Sequence, residues 1–199
     1  MPTVPTAPHA IRIDWTGALT LQGALVEVHG LGVLLSGTSG VGKSELALDL
    51  VSRGHRLIAD DIVEVIRPAT GILLARSPEL LRDYLEVRGL GLIDVRAMYG
   101  DAAIAPMQRL DLILHLESRG ETAPDTEAEA LARISGRRGE REILGVAVPE
   151  IFLRARLGHN QRALVEAACR DHWLRLFGVH ADRDFIARQE AAVAKDRQN

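Results

Sequence analysis

The sequence predicts an α/β fold with a mixed sheet and C-terminal helices, on three observations. A short apolar run, Leu31-Gly32-Val33-Leu34-Leu35-Ser36, leads into a glycine-rich octapeptide and then into helix formers, the strand–loop–helix order of a phosphate-binding unit. Several more strand-like runs follow before the long helical periods, so the order is not a regular βα alternation. Those helical periods lie at the end of the chain, over residues 161–177 and 182–195.

Taken in order, residues 1–10 read as a disordered lead-in, with three prolines in the first eight positions, and residues 11–199 read as a single domain. Residues 11–15 and 23–29 read as strands leading into the apolar strand at 31–36. The stretch after the glycine loop, residues 45–51, reads as a helix with Leu46 and Leu50 on one face. A further strand at 56–59 is entered through Gly54 and ends at Asp60-Asp61. Residues 62–66 and 72–75 read as a hairpin around Pro68-Ala69-Thr70-Gly71, and 111–116 as another strand. Residues 118–126 are polar, contain Gly120 and Pro124, and read as a loop. Arg133, Arg137, Arg138 and Arg141 form a dense basic run, either a solvated loop or a lid that brings positive charge to phosphates. Residues 143–153 are strand-like and broken at Pro149. The helix at 161–177 repeats through Leu164, Ala168, Leu174 and Phe177.

Composition excludes several classes. A net charge of −3 leaves no overall electrostatic case for nucleic acid or an anionic membrane. No apolar stretch approaches the ~20 residues that span a bilayer, and the N-terminus has neither a basic nor an apolar signal region. A cytoplasmic location is expected. The single cysteine, Cys169, excludes an internal disulfide framework and reads as a packed thiol. His29, His55, His115 and His172 lack metal-ligand spacing and read as core-edge or surface residues.

The chemistry concentrates in three places. Gly37-Thr38-Ser39-Gly40-Val41-Gly42-Lys43-Ser44 matches the P-loop pattern: backbone N–H groups curl around phosphates, Lys43 reaches the outer ones, and the Ser44 hydroxyl is available to Mg²⁺. Asp60-Asp61 places two carboxylates at a strand end, suited to holding a metal or accepting a proton, or to terminating the strand in a turn. Residues 85–94, Leu-Glu-Val-Arg-Gly-Leu-Gly-Leu-Ile-Asp, carry glycines at 89 and 91 between Glu86 and Arg88 and lack the third glycine of a dinucleotide fingerprint. On their own they read as a loop with a local ion pair.

These segments resemble the catalytic domain of bacterial HPr kinase/phosphorylase. The matching stretches are GLGVLLSGTSGVGKSELALDLVSRGHRLIADDIVEV at 30–65, LEVRGLGLIDVRAMYG at 85–100, which resembles the family signature, and EILGVAVPEI at 142–151. The resemblance covers about residues 21–177 and leaves the separate N-terminal domain of the family's long members without a counterpart. It implies a P-loop core related to phosphoenolpyruvate carboxykinase, assembly as a homo-hexamer, and Mg-ATP-dependent phosphorylation of a serine on the phosphocarrier HPr. It also implies roles: Gly37 to Ser44 bind the nucleotide, Lys43 is catalytic, Ser44 and Glu86 hold Mg²⁺, Asp61 is the base, and Arg133 is the catalytic arginine.

Three positions depart from the family pattern. Gln22 stands where the family has a catalytic histidine, and Arg154 and His159 stand where a segment linked to dephosphorylation has proline and arginine. They bear on the reverse phosphorylase reaction and on the acceptor. Two alternatives therefore accompany HPr phosphorylation: a kinase of the same fold with another protein or small hydroxyl acceptor, or a non-catalytic nucleotide sensor.

Overall fold

The computed structural model describes residues 13–117, 134–154 and 160–196. The expected lead-in at 1–10, the loop at 118–126, Arg133 and His159 lie outside the described residues. Eleven strands are described: β1 (Leu19–Gln22), β2 (Ala24–Val28), β3 (Leu31–Gly37), β4 (Arg56–Ala59), β5 (Ile62–Ile66), β6 (Leu74–Arg76), β7 (Tyr84–Val87), β8 (Gly91–Asp94), β9 (Gln108–Glu117), β10 (Arg137–Ile143) and β11 (Val146–Arg154). The helices are α1 (Lys43–Val51), α2 (Val95–Tyr99), α3 (Gln161–Leu176) and α4 (Ala181–Asp196).

β9 organises the sheet. It pairs antiparallel with β6 at its start, parallel with β3 through its length, and parallel with β11 towards its end. Beyond β3 lie β2 and then β4, both joined antiparallel. β1, β5 and β6 form an antiparallel arm, and β10 pairs with β11 along its whole length. The mixed sheet with C-terminal helices is as the sequence predicts.

Alternation along β3 explains why it reads as continuously apolar. Val33 and Leu35 enter a core shared with Leu46 and Leu50 of α1 and with Val165 and Cys169 of α3. Leu34 enters a second core, with Leu25, Ile113 and with Val63 and Val65 of the arm. A strand covered on both faces has no polar side to show. Cys169 is fully buried, and burial pushes its thiol up to about 12, so it is the packed thiol expected.

Four local expectations are corrected. Of the strand expected at 11–15, the described residues 13–15 are not in a strand: the Asp14 carboxylate accepts from Thr16 N–H at 2.9 Å and Ala18 N–H bonds Trp15 O at 3.1 Å, folding a turn there. The arginine run is neither a loop nor a lid over its described part, because Arg137, Arg138 and Arg141 lie in β10. Their ion-pair partners are Glu117, Asp171 and Glu150. The chain turns back at Leu144-Gly145, and β11 then runs unbroken through Pro149, which precedes the first residue paired with β9. There β11 is still an edge, where a missing N–H is tolerated. Finally, residues 85–94 form the hairpin β7–β8 rather than an ion-paired loop.

Gly32 marks the tightest approach in the sheet: a methyl group there would lie 1.8 Å from the carbonyl oxygen of Arg109. Only displacement of β9 relieves that contact. Gly32→Ala is expected to lower stability by at least the ~1–3 kcal/mol typical of overpacking, read from urea unfolding. An unchanged midpoint would show that β3 and β9 are not so closely apposed.

Candidate active site

The P-loop begins where β3 ends. A methyl at Gly37 would sit 2.4 Å from Leu116 O, so the loop leaves β3 hard against the end of β9. Gly42 caps α1 in the left-handed region, φ 98°, and Leu46 N–H bonds its carbonyl at 3.0 Å. α1 thus starts with its N-terminal amides at the loop, the arrangement that favours an anion. Lys43 folds back over the loop, its Nζ donating to Gly37 O and Thr38 O, both at 3.0 Å.

The acidic pair divides sharply. Asp60 is 6% exposed at the end of β4, and its carboxylate accepts from Ser44 Oγ at 3.0 and 3.1 Å and from Glu86 N–H at 3.1 Å. Burial raises its pKa above the ordinary carboxylate value. The hydrogen bonds from Glu86, Ser44 and the Asp61 backbone pull the other way, and the Asp61 charge adds to the rise. Asp61 is exposed in the left-handed region, φ 62°, with its carbonyl accepting from Gly23 N–H at 3.1 Å. Aspartate tolerates this conformation, which turns consecutive carboxylates in different directions.

Glu86 lies exposed on β7 between buried Leu85 and Val87, which anchor the hairpin in the α1 core. Asp94 caps α2 by accepting from Ala97 N–H at 2.9 Å, fixing the hairpin's far end. Gln22 ends β1 opposite Ile62, one residue from Asp61. Ser44, Asp60 and Glu86 therefore converge beside the loop, with Asp61 and Gln22 next to them. Ser44, Asp60 and Glu86 are all hard oxygen donors, which suits Mg²⁺, an ion that takes one or two carboxylates and completes its shell with water and phosphate. Among the described residues there is no cluster of three or more histidine, cysteine or acidic side chains arranged to hold a metal.

Two features escaped sequence reading. Arg88 makes no pair with Glu86; its guanidinium lies against the loop at Gly40. On the opposite face of the sheet from α1, Arg141 donates to Ser36 Oγ at 3.4 Å and pairs with Glu150, and His115 Nδ1 lies 3.4 Å from Ser36 Oγ and 3.7 Å from Glu150. This network begins one residue before the P-loop. Its signal was the polar interruption at His115 and Glu117 in an apolar strand. Of the other histidines, His55 meets Glu166 at 3.2 Å, and burial lowers the pKa of His29 and His172.

Comparison with known proteins shows the family of the chain. The family model described as the HPr serine kinase C-terminal domain matches residues 15–189. The chain is 43% identical over 178 residues to HPr kinase/phosphorylase of Azoarcus sp., covering 89% of this chain and 55% of that protein. It is 46% identical over 172 residues to the protein of that name from Xanthomonas campestris, covering 85% and 53%. It therefore spans about half the length of these relatives. The structure of the Hpr(Ser) kinase/phosphatase from Coxiella burnetii is similar with a TM-score of 0.73 at 28% identity, over 84% of this chain and 98% of that one.

The buried Asp60 carboxylate gives a signed prediction. A carboxyl whose folded pKa is raised contributes stability that is full below its ordinary value of 3.8 and is lost as pH rises through the folded value. Asp60→Asn removes that loss. Its stability relative to wild type is expected to be more favourable at pH 7 than at pH 4, in paired denaturation curves. A difference that does not change with pH would mean that burial does not disfavour the charged form.

Proposed function

Because the chain belongs to the HPr serine kinase C-terminal domain family, we propose that it is a Mg-ATP-dependent protein-serine kinase acting on HPr or an HPr-like carrier. The observation that carries the proposal is the convergence of Ser44, the buried Asp60 and the Glu86 backbone beside the P-loop. That joins the phosphate-binding segment to the family-signature hairpin, a combination that a bare nucleotide-binding module does not require. Residues 11–199 act as one kinase domain in this reading.

The chain's own residues supply the chemistry as follows. The amides of Gly37 to Ser44 hold the nucleotide phosphates, and Lys43 exchanges its loop carbonyls for the outer phosphate oxygens. Asp61 accepts the proton of the carrier serine as its oxygen bonds to the γ-phosphorus and the bond to ADP breaks. Exposure of Asp61 beside the loop supports that role over Asp60, whose carboxylate is already committed to Ser44 and Glu86. Ser44 and Glu86 would hold a Mg²⁺ ion, which neutralises phosphate charge when bound. Arg133 is proposed as the arginine that stabilises the transferred group. We further propose a cytoplasmic homo-oligomer, a hexamer by family resemblance. Phe177, Phe185 and Val193, exposed in the isolated chain, support oligomer formation, and no described helix is long and apolar enough to cross a membrane.

The test is incubation of the purified chain with γ-labelled ATP, Mg²⁺ and HPr-type carriers. Label is expected on a carrier serine. Lys43→Ala should abolish transfer, and Asp61→Asn should reduce it by about 10²-fold or more with nucleotide binding near normal. No transfer to any such carrier would overturn the reading.

A second expectation concerns direction. Phosphate attack on phosphoserine brings another anion beside an anionic substrate, and neutral Gln22 supplies no charge for it. His159 stands where the resemblance places an arginine, and histidine, unlike arginine, carries no fixed positive charge near neutral pH. Near pH 7.5 the kinase rate should exceed the rate of pyrophosphate release, and Gln22→His should raise the reverse rate selectively. A reverse rate equal to the forward rate in the unaltered chain would remove Gln22 from the argument.

A further inference from the structure

Arg88 occupies the tip of the β7–β8 hairpin, directly after buried Val87, which shares a core with Leu46 and Ala47 of α1 and with Val41 of the loop. Apolar packing therefore fixes the hairpin tip against the P-loop. From there the arginine reaches the loop itself: a methyl group at Gly40 would lie 2.9 Å from Arg88 Nη2, 3.8 Å from Cζ and 4.0 Å from Nη1. Any side chain at Gly40 would push the guanidinium away, and Gly40 also holds a φ of 79°.

The charge on this arginine is uncompensated among the described residues. Arg76, Arg137, Arg141, Arg162 and Arg175 each face a carboxylate. Arg88 faces none, although Glu86 is two residues away on the same hairpin. A guanidinium carries a flat fork of donors matched to phosphate oxygens and keeps its charge at any working pH. Lys43 sits over the opposite end of the loop, on Gly37 O and Thr38 O, so two cations flank the curl of amides.

We infer that Arg88 is a phosphate-binding residue of this site, donating from its guanidinium to the oxygens of the β- and γ-phosphates that the loop amides hold. The inference rests on the reading of residues 37–44 as a nucleotide site. It gives the signature hairpin a direct hold on the nucleotide. The same short segment then carries Arg88 towards the phosphates and Glu86 towards the metal, so nucleotide binding restrains the hairpin that presents Glu86.

The experiment compares ATP and AMP binding by calorimetry to the full chain and to Arg88→Met and Arg88→Lys. Methionine keeps the aliphatic stem and removes the charge. Arg88→Met is expected to weaken ATP binding about tenfold or more, the scale of a lost charge-assisted hydrogen bond, with little change for AMP, and Arg88→Lys to recover part of the loss. Equal ATP affinity in Arg88→Met, an equal loss for ATP and AMP, or failure of both variants to fold marks a structural residue and overturns the inference. If the unaltered chain binds no ATP, the nucleotide-site reading itself fails and takes this inference with it. Intact wild-type binding that is indifferent to Arg88 overturns this inference alone.

Discussion

A buried carboxylate holds the site together. Asp60 ends an edge strand inside the protein and ties two segments that are otherwise joined to it by apolar packing, the first turn of α1 through Ser44 and the hairpin β7–β8 through the Glu86 N–H. Apolar contact is non-directional and sets only proximity, so Leu46, Leu85 and Val87 can bring helix and hairpin together without fixing their register. Hydrogen bonds to a charged acceptor are directional and roughly twice as strong as neutral ones. They fix where Ser44 and Glu86 stand relative to the loop. The cost is a carboxylate held against burial, a common trade of stability for function.

The sheet supplies the rigid frame for that joint. β3 and β9 lie side by side, covered on both faces, and the P-loop leaves from their common end. On the face away from α1 the apolar core gives way, at that same end, to Ser36, His115, Glu150 and Arg141. The arginines of β10 are partly exposed, but Glu117 and Glu150, which Arg137 and Arg141 meet, are buried, so these pairs compensate carboxylates held out of water. They also orient: Arg137 grips both oxygens of Glu117 at 2.6 Å and Arg141 reaches Ser36, so the β10–β11 hairpin is referenced to the strand that carries the loop.

What was legible from sequence was local. The strand–loop–helix unit, the β5–β6 hairpin and the two terminal helices each depend on neighbours a few residues away, and the structure has them with shifts only at their ends. The arginine run was misread because charge density looks alike on a loop and on a strand. Its partners Glu117 and Asp171 lie 20 and 33 residues away, and only pairing with β11 and contact with α3 bring them near. Likewise Arg88 and Glu86 are close in sequence yet form no pair: Glu86 lies within β7, while Arg88 stands in the turn that follows it, where its guanidinium meets the loop at Gly40.

By itself the sequence determined that a glycine-rich loop of the P-loop pattern joins a strand to a helix and which helix it opens, because glycine spacing and the flanking run encode backbone conformation directly. It also determined that two aspartates end a strand nearby. Which of the two is buried, which cation stands at which end of the loop, and which backbone N–H meets the buried carboxylate were decided by tertiary structure. Asp60 and Asp61 are chemically identical. One turn of the chain into the left-handed region at Asp61, held by Gly23, sends one carboxylate inward to Ser44 and leaves the other exposed. No property of either residue taken alone contains that difference.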